Sequence, residues 1–183
     1  MFKKLSLLIC VILWAASSQA APLTWNLDGV NFDDGGVATG NFVFNADTNT
    51  VLDWNISVSG GDEDLFPIFS YTPTTVIAVG VYTAGSGQSL QFFVDPNAPG
   101  GTADSRLLSL TTDAALTGAG GSVSLLSQIS TPDGFFESAE CYNCNPFRLV
   151  VNGTITAVPI PATIWLFGSG LLGLTGIARW MKA

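Results

Sequence analysis

Histidine is absent from this 183-residue chain. Without histidine, the Ser-His-Asp and Cys-His nucleophilic systems, histidine general bases and histidine-ligated zinc sites cannot form. Lysine and arginine number only six, and strong helix formers such as Lys, Glu and Gln are few. The first absence removes several large classes of enzyme, and the second argues against a helical domain.

Positive charge is almost missing from the middle of the chain. Between residues 21 and 157 the only cations are Arg106 and Arg148, against all 14 acidic residues, which leaves 12 uncompensated negative charges. A surface of this sign repels nucleic acid and anionic lipid, so nucleic-acid binding is excluded. It favours solubility, and it suits divalent cations or cationic surfaces.

The first 20 residues have the layout of a secretory signal peptide. Two lysines precede an uncharged run over 5–16, and Ser18 and Ala20 supply small side chains at the −3 and −1 positions of a cleavage site. The pattern predicts cleavage between Ala20 and Ala21. A retained anchor is the alternative, but the apolar run is shorter than the roughly 18 residues that a span requires.

A second apolar segment covers residues 160–178, none of which is charged. Its length suits one membrane span. Arg179 and Lys182 follow it, and positive residues stay on the cytoplasmic side. The pattern predicts a transmembrane helix in the inner membrane, with the preceding domain facing outward; a buried core helix is the alternative.

Residues 158–183 combine a proline motif, the apolar run WLFGSGLLGL and a basic end. The proline motif comprises Val158, Pro159, Ile160, Pro161 and Ala162. This combination resembles the PEP-CTERM sorting signal in its VPLPA-type variant, with Ile160 where the parent motif has Glu.

The resemblance implies a particular route for the protein. Such signals are processed by an exosortase, a membrane cysteine protease or transpeptidase, in Gram-negative bacteria that make exopolysaccharide. We therefore expect a precursor anchored in the inner membrane and then delivered to the cell surface or extracellular matrix. Exosortase, the inner membrane and exopolysaccharide are the partners that the resemblance indicates.

The segment 21–157 has the pattern of an all-β domain. Residues 52–59 alternate apolar and polar side chains, residues 40–45 are rich in strand formers, and the turn cluster 46–49 between them predicts an antiparallel hairpin. With no helical pattern between the strands, they predict an antiparallel β-sandwich or jelly roll. Further strands are expected at 23–30, 75–82, 90–95, 107–111, 122–129 and 147–158.

Cys141 and Cys144 are the cysteines that remain after removal of the signal peptide. In the cytosol their C-x-x-C spacing would indicate metal or redox chemistry. Because the chain is expected in an oxidising compartment, a local disulfide is the leading interpretation.

Acidic residues leave two kinds of site open. Glycosidases need two carboxylates about 5 to 9.5 Å apart, and the candidates are Asp28, Asp33, Asp34, Asp53, Glu137 and Glu140. Calcium, the only cofactor considered, has oxygen ligands available in Asp28 with Asp33 and Asp34, and in Asp62, Glu63 and Asp64. Solvated acidic loops are the alternative to both.

Aromatic side chains give a final candidate site. As an exposed platform they would bind sugar; as alternating strand residues they would form the core. They are Trp25, Trp54, Tyr71, Phe92 and Phe93. The sequence thus favours a non-enzymatic, exported structural or interaction protein, with a carbohydrate-binding module and a carboxylate-dependent hydrolase as alternatives.

Overall fold

A computed structural model describes residues 21–94, 105–131, 134–143 and 146–158. These residues form only strands, turns and loops, so the all-β prediction is confirmed. The strands are β1 (Leu23–Phe32), β2 (Val37–Asn45), β3 (Thr50–Ser59), β4 (Phe69–Tyr71), β5 (Ala78–Ala84), β6 (Gly87–Phe93), β7 (Arg106–Thr111), β8 (Ser122–Ser124), β9 (Gln128–Thr131), β10 (Gly134–Glu137), β11 (Ala139–Tyr142) and β12 (Phe147–Ala157).

Every strand pairing in the described part of the chain is antiparallel. Nine strands follow the order β4-β3-β2-β1-β12-β11-β7-β6-β5, β8 pairs with β12, and β9 with β10 forms a separate two-stranded sheet. The hairpin predicted from 40–45 and 52–59 is confirmed as β2 and β3. Asn49, with φ of 53°, lies in its turn, where Asn tolerates a left-handed backbone.

The ten-stranded sheet curls into a half-barrel, so its two halves enclose one core. Bulges in β1 after Asp28 and in β3 at Leu52 increase the local twist. Trp54 of β3 and Phe92 of β6 have ring centroids 6.0 Å apart, although five strands separate β3 from β6 in the sheet order. Alternate side chains from both halves, including the fully buried Phe42, Ile56, Leu90 and Leu108, fill the space between them.

The strand register places the turns at two opposite ends of the sheet. One end holds Leu23 and Val158, because the Val158 amide donates to the carbonyl of Thr24. The opposite end, called the distal end below, holds the β1–β2 turn, the loop over 60–68, the end of β11 at Tyr142 and the start of β12.

The predicted signal peptide and transmembrane helix lie outside the described residues, as do Ala20 and Pro159 to Ala162. Among the residues that are described, none belongs to a helix long and apolar enough to cross a membrane.

Candidate functional site: a buried ion cluster and the adjoining cleft

Three neighbouring strands bring charged side chains together at the distal end. In the register, Glu140 of β11 lies opposite Arg148 of β12 on one side and Leu108 of β7 on the other. Because alternate residues of a strand share a face, Arg148, Glu140 and Arg106 point into the curled interior, where each is at most 2% exposed. We call these residues, with Tyr71 and Asp34, the distal ion cluster.

Arg148 is the hub of the cluster. Its Nε and Nη2 donate to Oε2 of Glu140 at 2.9 and 2.6 Å. Its Nη1 donates to Oδ2 of Asp34 at 3.0 Å and to the Gly60 carbonyl at 3.1 Å. One guanidinium therefore joins two carboxylates and a loop, the multidentate geometry for which arginine is suited and lysine is not.

The other oxygen of Glu140 faces β4 and β7. Tyr71 donates its hydroxyl hydrogen to Oε1 of Glu140 at 2.9 Å, and Nη1 of Arg106 lies 3.6 Å from the same oxygen. Two arginines thus meet two carboxylates, Glu140 and Asp34. A buried charge is tolerated only when it is paired and hydrogen-bonded. Glu140 meets both conditions, whereas Nη1 of Arg106 is paired with Glu140 by charge but is without a hydrogen bond among the described residues.

Aromatic rings cover both guanidinium groups. Phe32 and Phe66 lie 4.2 and 4.8 Å from the centre of the Arg148 guanidinium. Phe69 and Tyr142 lie 4.7 and 4.8 Å from that of Arg106. The rings attract the cations through their π faces and keep water away from them.

The cluster shifts the pKa of two of its members. Partial burial works to raise the pKa of Asp34, but amide donors from Gly36 and Asp62, together with Arg148, outweigh it and hold that pKa below 3.8. Burial, and next the charge of Glu140, raises the pKa of Tyr71 well above 10. Asp34 is therefore held ionised and Tyr71 neutral.

Tyr71 should make stability pH-dependent in alkali. A tyrosine in the unfolded chain ionises near pH 10, whereas folded Tyr71 keeps its proton. The free energy of unfolding should therefore fall as the pH rises above about 10. In Tyr71→Phe this alkaline fall in stability should be smaller. The free energy of unfolding of the variant at pH 7 should be lower than that of the wild type by about 1.5 to 3 kcal/mol, because the hydrogen bond to a charged acceptor is missing. Urea unfolding at pH 7 and pH 10.5 measures both effects. The control Tyr82→Phe, on a side chain 44% exposed, should keep the wild-type pH dependence; equal behaviour of the two variants would contradict the assignment.

The cluster fastens the loop over 60–68 to the end of the sheet. Arg148 binds the Gly60 carbonyl, Oδ2 of Asp34 accepts from the Asp62 amide at 3.1 Å, and Nη2 of Arg106 donates to the Pro67 carbonyl. The three attachment points span the loop from its beginning to its end. The buried ions therefore hold an exposed segment in one shape.

An open cleft of about 250 Å³ adjoins this loop. Its walls are mostly apolar, and Ile68, at 63% exposure, stands at its rim. The lining residues are Pro67, Ile68, Phe69, Arg106 and Tyr142. The cleft thus lies where the loop, β4, β7 and β11 meet, directly above Arg106.

The six carboxylates considered for catalysis are not gathered around this cleft. Asp28, Asp33 and Asp53 are exposed, and Asp33 accepts from the Leu149 amide at 3.1 Å. Burial raises the pKa of Glu137, which lies at the end of β10. Asp34 and Glu140 do approach one another, but Arg148 lies between them and Glu140 is 0% exposed. The geometry matches a structural ion pair rather than two carboxylates facing a substrate.

Four of the six acidic residues considered for calcium, Asp33, Asp34, Asp62 and Glu63, accept hydrogen bonds from backbone amides. Oδ1 of Asp62 accepts from the Leu65 amide at 3.2 Å, and Oε1 of Glu63 accepts from the Gly60 amide at 3.2 Å. Within the described ranges, no three His, Cys, Asp or Glu side chains are grouped so as to hold a metal ion. The carboxylates of Asp62 and Glu63 stabilise the loop in its present shape.

The proposed aromatic platform does not exist as a surface. Trp25, Tyr71 and Phe92 are at most 1% exposed and belong to the core or the ion cluster. Trp54 and Phe93 are half-buried. The core interpretation is correct for the first three because strand alternation turns them toward the inside of the curl.

The remaining sequence-based predictions fall partly outside the described residues. Cys141 is buried and disulfide-bonded, but Cys144 is not described, so the pairing of these two cysteines stays a prediction. Val158, at 41% exposure, ends the described chain next to the undescribed part of the proline motif. Ala21 is exposed, and Ala20, on the other side of the predicted cleavage site, lies outside the described residues.

Sequence reasoning missed the distal ion cluster, although one signal for it was present. Arg106 and Arg148 are the only cations in a segment with 14 acidic residues, and each starts an apolar run, RLLSL and RLVV. A cation at the start of a predicted buried strand needs an acidic partner inside the fold. The identity of that partner, Glu140, depends on the register between β11 and β12.

Comparison with known proteins finds no matching family, curated protein or solved structure. The fold and the site therefore define the class of this protein by themselves: an antiparallel all-β domain built on one curled sheet, with a buried ion cluster at one end.

Proposed function

We propose that this chain is a non-enzymatic, exported protein of the bacterial cell surface or exopolysaccharide matrix, with a structural or interaction role. The observation that carries this proposal is the burial of both arginines of the domain. Both arginines are buried and paired with carboxylates inside the fold. The surface formed by residues 21–157 therefore has acidic side chains and no lysine or arginine to pair with them. Such an exterior stays soluble and resists adhesion to anionic surfaces.

The arrangement of the two chain ends supports display of the domain. Val158 and Thr24 are hydrogen-bonded neighbours, so the segments that precede and follow the domain depart from the same end of the sheet. The distal end, with its cleft and fastened loop, lies opposite. An anchor after Val158 would therefore direct the cleft away from the membrane.

The position of the carboxylates supports a non-enzymatic role. Glu140, the most deeply buried of them, is held by Arg148, Tyr71 and Arg106. To accept a proton from a substrate, Glu140 would have to give up these contacts, and the fold would lose stability. The exposed carboxylates considered for catalysis lie on separate elements, with Asp28 in β1, Asp33 in the β1–β2 turn and Asp53 in β3. The two halves of the curled sheet, packed face to face, are also the reason to propose a β-sandwich type of domain.

The C-terminal peptide of the protein from its native cells tests the proposal. We expect mass spectrometry to show a mature chain that ends within or close to Val158–Ala162, because the exosortase-type signal is removed after export. A chain in which Pro159 and Pro161 are both replaced by alanine should remain full length and stay in the membrane fraction. A wild-type chain that ends at Ala183 would contradict processing.

A carbohydrate-binding module is the second candidate function. The observation in its favour is the open cleft beside Phe69 and Tyr142, whose apolar walls would suit the C–H face of a sugar ring. Binding of neutral oligosaccharides by the purified chain is its test, and it is included in the experiment described below.

A further inference from the structure

The loop over 60–68 combines exposed apolar side chains with uncompensated negative charge. Leu65 and Ile68 are 47% and 63% exposed. Asp62, Glu63 and Asp64 immediately precede them and are exposed as well. An apolar anchor point surrounded by polar groups is the arrangement found at protein-binding sites.

The cleft beside this loop can receive a bulky side chain of a binding partner. Its volume of about 250 Å³ accommodates one aromatic or branched aliphatic group between Ile68 and Tyr142. Binding energy concentrates where such a group enters a pocket and water is excluded around it. Pro67 and Ile68, which form one side of the cleft, lie on the same short loop as the acidic stretch, so one ligand can contact both.

The buried cluster prepares the loop for binding. Arg148, Asp34 and Arg106 hold Gly60, Asp62 and Pro67 by hydrogen bonds. A segment that is already ordered loses little conformational entropy when a partner binds. The ions therefore have a consequence outside the core, because they set the shape of the surface that a partner meets.

Charge selects the partner. Apart from Arg106 and Arg148, which are buried, residues 21–157 contain no cation. A second copy of this domain would bring like charges together at the distal end, and an acidic polymer would be repelled. A cationic partner gains both steering toward this end and attraction at the rim of the cleft.

We infer that the cleft and the loop over 60–68 form a docking site for a polypeptide segment with a bulky apolar side chain flanked by lysine or arginine. The inference rests on the proposed function only in that an exported domain meets such partners outside the cell. The site would hold the apolar side chain against Ile68 and Tyr142, with the basic residues beside Asp62 to Asp64.

A fluorescent peptide tests this inference with the full 183-residue chain kept in zwitterionic detergent. The probe has a Trp-Leu centre and two lysines on each side, and anisotropy is measured at 20 and 200 mM salt. We expect saturable binding that weakens at the higher salt, because screening shortens the range of the attraction. Two comparison peptides, one with glutamates for lysines and one with serines for Trp-Leu, should bind at least about tenfold more weakly, as loss of roughly 1.4 kcal/mol produces.

Substitutions in the chain locate the binding. Ile68→Ser should weaken binding of the lysine peptide about tenfold, the effect of roughly 1.4 kcal/mol of lost apolar contact. The matched control Leu52→Ser, on a side chain 53% exposed in β3 and outside the cleft, should bind as the wild type does. Thermal unfolding of both variants confirms that each is folded. Asp64→Asn should weaken binding at 20 mM salt more than at 200 mM.

Three results would overturn the inference. One is the absence of saturable binding of the lysine peptide. Another is an equal loss of affinity in Ile68→Ser and Leu52→Ser, which would indicate non-specific binding. The third is binding of cellotetraose or maltotetraose, instead of the peptide, that Ile68→Ser abolishes; that outcome would assign the cleft to a neutral glycan. None of these measurements depends on processing of the C-terminal segment, so failure here and failure of the proposed function are distinguishable.

Discussion

Replacement of Arg148 by methionine is expected to destabilise the domain by about 3 to 5 kcal/mol, the usual cost of leaving a buried charge without its partner. Methionine fills much of the space of the arginine stem, but it removes the bonds to Glu140, Asp34 and the Gly60 carbonyl. Since small domains are stable by only about 5 to 15 kcal/mol, the variant should unfold at far lower urea concentration. Urea unfolding followed by tryptophan fluorescence measures the change.

Arg148→Lys is the comparison that separates charge from geometry. Lysine keeps the positive charge, but its single ammonium group cannot reach both Glu140 and Asp34 as the guanidinium does. We expect a loss smaller than that of Arg148→Met and clearly larger than that of Asp28→Asn, a change at an exposed site. If the free energy of unfolding of Arg148→Met lay within about 1 kcal/mol of the wild-type value, the cluster would not be a determinant of stability.

Gly40→Ala is expected to cost more than about 3 kcal/mol, because it combines backbone strain with a collision. Gly40 lies in the central strand β2 with φ of 120°, a conformation that other residues avoid. A Cβ at this position would lie 2.0 Å from the carbonyl oxygen of Asn55 in the adjacent strand. That oxygen belongs to the backbone of β3, so the clash is relieved only by parting the hairpin.

Gly29→Ala is the matched control for this prediction. Gly29 also has a positive φ, of 59°, but a Cβ there would meet nothing within 4 Å. Strain alone should cost it about 1 to 2 kcal/mol. Thermal or urea unfolding of the two variants therefore separates strain from collision, and an equal loss in both would show that the contact with Asn55 has no effect.

Local patterns in the sequence predict the longer strands and the hairpin. Residues 52–59 alternate apolar and polar side chains, and β3 indeed covers Thr50–Ser59 with Ile56 and Val58 turned into the core. The strands that the sequence did not reveal are short: β4, β10 and β11 have three, four and four residues. Alternation over so few positions is indistinguishable from chance. β4 and β11 exist because longer neighbours offer them hydrogen bonds, and β10 exists because it pairs with β9.

The segment 122–129 shows how pairing decides where a strand ends. The sequence predicts one strand there, and the structure has β8 at Ser122–Ser124 and β9 starting at Gln128. The first pairs with β12 and the second with β10. The break between them follows from two different partners, which no local pattern contains.

The curl of the sheet also depends on distant residues. Residues 150–157 of β12 pair with β1, whereas 147–149 pair with β11. One long strand thereby connects the two halves, and the resulting single sheet curls over its own core. The sequence predicted a strand over 147–158 but not that it would serve both halves, because a local pattern does not identify the neighbouring strands.

By itself, the amino-acid sequence determined the strand-rich, histidine-free and acidic character of this protein, because composition and alternation are local properties. The export and sorting patterns at its two ends are likewise read locally and stay predictions. Only the tertiary structure decided what the two arginines do. Residues 34, 71 and 106 are far along the chain from one another and from the neighbouring pair 140 and 148. Their ion cluster exists because antiparallel register and the curl of the sheet carry them to one buried place.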